Sequence, residues 1–96
     1  MKVCELITPA TWTQGCAART ADGTPTLWND PAAVKWDLLG AIYHCYPIGQ
    51  AREVELRVIQ KLFGCKRKLG QCLSVWGDDC RRTYAEVIRV VADLGI

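Results

Sequence analysis

Between Asp30 and Tyr46 the chain runs from an Asp-Pro step into mostly apolar residues. Turned at about 100° per residue, this stretch gathers Trp36, Tyr43, Leu39, Tyr46, Ile42, Leu38 and Cys45 on one wide arc. Asp30 offers an N-cap oxygen, and Pro31 suits the first helical position, where a missing N–H costs nothing. The pattern predicts a largely buried helix from Pro31 to Tyr46. Its narrower arc holds Ala33, Asp37, Gly40, Ala41 and His44. Asp37 and His44 fall two turns apart, about 10 Å along the axis, with small residues between them, which predicts a shallow polar notch.

Pro47-Ile48-Gly49 breaks that helix, and a second is predicted from Gln50 to Phe63. Ala51, Val54, Leu56, Val58, Ile59, Leu62 and Phe63 form its apolar arc, opposite Glu53, Arg57, Gln60 and Lys61, and Gly64 fits the position just past its end. A third helix opens at Thr83, where Thr83 and Glu86 have capping-box spacing, and Gly95 closes it. Tyr84, Val87, Ile88, Val91 and Leu94 make its buried stripe. Residues 65–75 read as a helical turn or two, and 76–79 as a loop. Near the start, residues 2–7 are too short for more than a helical turn or a strand, and Pro9 ends either. Asp22-Gly23 marks a turn between two extended segments, with Pro25 making the second irregular. The expected fold is mainly α: a compact bundle of three main helices plus short helical turns, with a small irregular N-terminal hairpin or loop.

Ninety-six residues, half of them apolar, suit a single domain with one core. The net charge of +2 is too small to imply nucleic acid, but it is uneven, −1 over residues 1–48 and +3 over residues 49–96. The apolar run at the start is far shorter than a signal peptide's and contains Glu5, and no stretch is long enough for a membrane span. The expectation is a soluble, cytoplasmic protein with no membrane association. In that setting the six cysteines read as free thiols and small hydrophobes. They contain no C-x-x-C pair, and the nearest approach to a ligand set is Cys65, Cys72 and Cys80, so no metal and no cofactor is expected.

Trp76-Gly77-Asp78, then Arg82-Thr83 and Glu86-Val87, resemble a series found in a family of small uncharacterised bacterial and phage proteins. Further matches are Trp12-Thr13-Gln14-Gly15, Ala17-Ala18-Arg19 and Asp22-Gly23 near the start, and Trp36, Leu38 and Gly40-Ala41 in the middle. Gly77 stands where that pattern has Asn, and Asp37 where it commonly has Cys. The family is a domain of unknown function, so the resemblance implies a bacterial or mobile-element context without a reaction.

Three functional readings follow. The leading one is a non-enzymatic protein-binding module of a phage or mobile element, an inhibitor of a host defence complex such as a CRISPR effector. Its partner-binding residues would be Lys66, Arg67, Lys68, Trp76, Asp78, Arg81 and Arg82, because Trp and Arg are the side chains that anchor interfaces. The second is nucleic-acid binding through the basic members of the same set. The third is a small metal protein or enzyme built on Asp37, His44 and the cysteines. The chain has one His and no nucleophile or phosphate-loop motif, so the reading carried forward names no catalytic residue.

Overall fold

The computed structural model describes residues 1–64, 73, 76 and 79–96. Its element order is α1 (Val3–Leu6), β1 (Ala18–Thr20), β2 (Pro25–Thr26), β3 (Ala33–Trp36), α2 (Leu38–Cys45), α3 (Ile48–Phe63) and α4 (Tyr84–Leu94). Among the described residues there are thus four helices and a three-stranded antiparallel sheet, so the fold is mixed α/β and the mainly α expectation is overturned.

The sheet has the order β2-β1-β3. Ala18 pairs with Thr26 on one side and Trp36 on the other. The hairpin predicted at Asp22-Gly23 joins β1 to β2, and Gly23 takes a φ of 87° that an L side chain rarely adopts. Asp22 accepts the Thr24 N–H at 3.1 Å and the Thr20 hydroxyl, which closes the turn. Between β1 and β3 the register slips: Arg19 faces Lys35, but Thr20 faces Ala33. Val34 is the extra residue, 42% exposed, so Ala33 and Trp36 share the buried face at a spacing of three rather than two. That bulge converts a strand's alternation into a helix-like spacing, which is why the stretch reads as helical from sequence.

The predicted helix therefore starts seven residues later than expected. Asp30 does act as a local cap, but of a turn: its carboxylate accepts Ala32 N–H at 2.9 Å and the Thr26 hydroxyl. The N-cap of α2 is Asp37, extended at φ −79° and ψ 177°, and its Oδ1 accepts Gly40 N–H at 2.6 Å. Pro47 stops α2 after Tyr46, and α3 begins at once. Gly64 and Gly95, both at φ 68°, end α3 and α4 as their positions predict. The Thr83–Glu86 capping box is present.

Val3, Ile7, Ala18, Trp36, Leu38, Ile42, Val58, Ile59, Leu73, Val87 and Val91 belong to one buried cluster. In it α2 packs on α1, α3 and β3, while α4 packs on α1 and α3. The loop from Thr8 to Gly15 is tied across this core. Trp12 packs on Tyr84 with ring centres 6.4 Å apart, the Tyr84 hydroxyl donates to Ile7 O at 3.2 Å, and Gln14 Nε2 donates to Asp79 O at 2.9 Å. No helix among the described residues is long and apolar enough to cross a membrane.

Candidate functional site

The approach to β1, the Trp28 loop, α2 and α3 enclose an open-sided cleft of about 320 Å³, lined by Ala17, Trp28, Leu39, Gly40, Tyr43, Arg52 and Glu55. Trp28 and Tyr43 make one wall, their rings 6.0 Å apart and inclined at 51°. The indole is held there through its own backbone: Trp28 O accepts from Trp36 Nε1 at 3.2 Å and lies 3.2 Å from His44 Nδ1.

Glu55 is the unusual member. It sits on α3 four residues from Ala51 and from Ile59, both fully buried, and is itself 1% exposed. Its Oε1 accepts the Tyr43 hydroxyl at 2.7 Å, and its Oε2, with less than 1 Å² accessible, has no hydrogen-bond partner among the described residues. Burial, followed by the Glu55 hydrogen bond and charge, pushes the Tyr43 phenol above its ordinary pKa, while the Arg52 guanidinium works the other way. A phenol donating to a buried carboxylate is thereby kept as the donor. Arg52, one turn before Glu55 and exposed, stands on the rim.

The residues singled out from sequence are placed differently. Asp37 is 5% exposed, and its carboxylate caps α2. His44 is exposed and packs against Trp36 at 4.9 Å between ring centres. The notch supposed between them is filled: a Cβ on Gly40 would lie 2.1 Å from Ala17 O. Of the C-terminal set, Lys66, Arg67, Lys68 and Asp78 lie outside the described residues. Trp76 packs partly buried on the core, with the Arg82 guanidinium 4.1 Å above its ring. Arg82 also donates to Trp76 O at 3.0 Å and pairs with Glu86 at 2.6 Å. That pairing, with the Thr83 N–H after it, holds the Glu86 carboxyl below its ordinary pKa. Arg81 pairs with Asp79 at 3.3 Å, its side chain 87% exposed. Trp76 and Arg82, both half-buried, thus fasten the start of α4.

The motif residues near the start are structural too. Arg19 donates to Thr13 Oγ1, Gly23 O and Gln14 O at 2.9, 2.9 and 3.1 Å, tying the hairpin to the Thr13–Gln14 loop. Thr13, Gln14, Arg19 and Gly23 all belong to the motifs that carry the resemblance. The chain belongs to a family of unknown function. That family, DUF6197, matches residues 2–94. No curated protein and no solved structure matches the chain. Within the family's span, the motifs with the clearest contacts hold the N-terminal loop to the hairpin and to α4. Apart from Ala17 and Gly40, the cleft is lined by residues outside them.

Proposed function

We propose that this protein is a non-enzymatic binding module whose cleft between α2, α3 and the Trp28 loop receives a donor-bearing side chain of a partner protein. Glu55 is the observation that carries the reading: a buried carboxylate with one oxygen bonded to Tyr43 and the other without a donor. Leaving a buried acceptor unbonded costs about 1–3 kcal/mol, and more when it is charged. The unbonded oxygen exposes less than 1 Å² but belongs to a residue that also lines the cleft, so a partner's donor that displaced its cover would recover that cost on binding. The walls suit such a guest, since aromatic and aliphatic side chains with a few fixed polar groups are the usual make-up of a binding pocket.

The wider setting is supported by sequence features alone. A short Trp-rich chain without a catalytic motif, and its likeness to bacterial and phage proteins, favour an intracellular module of a mobile element that blocks a host defence complex. Tagged protein is compared with Trp28→Ala and Leu39→Ala variants of unchanged far-UV circular dichroism in pull-downs from bacterial lysate. A stoichiometric partner held by the parent and lost by both variants supports the reading. Equal recovery by all three, or no partner from any lysate, overturns it.

A further inference from the structure

We infer that the group this cleft accepts is an aromatic residue at the C-terminus of the partner, its ring lying against Trp28 and Tyr43 and its terminal carboxylate held by Arg52. The inference rests on the binding reading above and names the partner's residue, since tyrosine and tryptophan are the aromatic side chains that bear a donor. It asks nothing of the covered Glu55 oxygen. Trp28 and Tyr43 line the cleft and are each half-buried, so both keep ring surface for a third ring. Aromatic pairs gain more than the area they bury when they meet in tilted or offset contacts, as these two already do at 51°. The volume of about 320 Å³ lies at the low end for ligand pockets, which suits one side chain rather than a run of them.

Arg52 supplies the charge complement. It is exposed on the rim and pairs with no carboxylate among the described residues. Its guanidinium lies beside the Tyr43 hydroxyl: burial and Glu55 raise that phenol's pKa, while Arg52 lowers it through charge and hydrogen bonding. A guanidinium has five N–H donors, so it can serve that hydroxyl and still offer a carboxylate two in parallel. Because Tyr43 is also the aromatic wall, the guest's carboxylate must lie within one residue of its ring. At a C-terminus it sits on the same Cα that carries the ring, whereas a neighbouring acidic residue starts about 3.8 Å further along the chain. Glu55 is the counter-argument, since an ionised carboxylate would repel another. Its Oε1 is covered by the Tyr43 hydroxyl and its Oε2 has less than 1 Å² accessible, so a guest touches neither oxygen and meets the guanidinium first.

The test is an NMR titration of the full chain, reading the Trp28 indole and the Leu39 and Tyr43 amides. The probes are N-acetyltyrosine, its amide, N-acetylleucine and an acetylated tyrosyl-aspartate amide, whose carboxylate is one residue further on. N-acetyltyrosine is expected to give saturable shifts at all three reporters. Its amide should bind about fivefold more weakly, the upper end for an exposed ion pair, and N-acetylleucine more weakly still. Raising salt to about 1 M, where the screening length is about 3 Å, should remove the acid's advantage over the amide. Arg52→Gln, a change at an exposed position, should do the same at low salt. Equal binding of acid and amide, or an advantage that survives in Arg52→Gln, overturns the inference while leaving an aromatic-binding cleft intact. N-acetylleucine binding as tightly as N-acetyltyrosine removes the ring from the argument and overturns it. Tighter binding of the tyrosyl-aspartate amide moves the carboxylate to a neighbouring side chain and overturns it too. No saturable shift with any probe overturns it outright, and the pull-down comparison then decides separately whether the protein is a binding module.

Discussion

Replacing Gly40 by alanine sets helix propensity against packing, and the structure decides the sign. In a helix interior alanine is favoured over glycine by about 1 kcal/mol, so propensity alone gives a more stable protein. The added Cβ, however, would lie 2.1 Å from Ala17 O and 3.0 Å from both Ala17 C and Asp37 Oδ1. Relieving the first contact requires a shift of about 1 Å, and close-packed interiors do not yield that distance freely. The obstacle is backbone with little freedom. Ala17 O accepts the Asp37 N–H at 3.1 Å, and the next residue, Ala18, is fully buried and paired on both sides in the sheet. Losing that hydrogen bond costs about 1 kcal/mol net, and overpacking adds about 1–3 kcal/mol. After subtracting the propensity gain, Gly40→Ala should destabilise by about 2 kcal/mol, or about 8–16 °C in melting temperature for a chain of this size. Urea denaturation should show a lower midpoint with unchanged m. Gly49→Ala is the control: Gly49 lies in the first turn of α3 with nothing within 4 Å of its Cβ position, so it should be neutral or slightly stabilising. A Gly40→Ala midpoint at or above the parent's would refute the close approach of α2 to the β1 approach.

Three further outcomes are expected. Asp37→Ala should cost about 1–2 kcal/mol by the same denaturation assay, since it removes the α2 cap, whereas Asp37→Asn should recover most of it because asparagine caps nearly as well. Equal losses would show that the charge, not the cap, matters. The Asp22 carboxyl should titrate at about 2, held below its ordinary 3.8 by the Thr20 hydroxyl first and the Thr24 N–H second. A depressed carboxyl stabilises the fold above its unfolded pKa and loses that contribution as pH falls toward 2. Thr20→Val should bring it back toward 3.8 in a carboxyl-detected NMR titration, and no change would refute the hydroxyl as the main cause. Burial raises the Cys45 thiol above its ordinary value, so iodoacetamide at pH 8 should label exposed Cys4 and Cys80 well before Cys45 by peptide mass mapping.

The sequence made the helices legible wherever their ends carry chemistry of their own. Thr83 with Glu86, Gly64 and Gly95 are legible because a capping box and a left-handed glycine depend on near neighbours only. Ala33 to Trp36 reads as helix for a physical reason. The bulge at Val34 puts Ala33 and Trp36 on one face at helical spacing, while the Asp30-Pro31 step imitates a helix start with a real cap on a mere turn. Two aspartates competed to cap α2, and the one seven residues later won, because its side chain meets Gly40 N–H while its backbone bonds to Ala17 O. That second bond comes from a distant part of the chain, and periodicity has no access to it.

The cleft follows the same division. Asp37 and His44 stand out as polar residues on an otherwise small-residue arc, yet Gly40 between them is covered by Ala17 and the aspartate is a cap. The more telling signal was on the next helix. Glu55 lies midway between Ala51 and Ile59, four residues from each, so an acid sits in the middle of the stripe that α3 buries. A solvated carboxylate has no reason to be there, and a buried one needs donors. Tyr43 on α2 supplies one. An acid inside an apolar stripe is readable from sequence without any motif, whereas the tyrosine that answers half of it emerges only once α2 and α3 are packed. The other oxygen stays buried without a donor among the described residues.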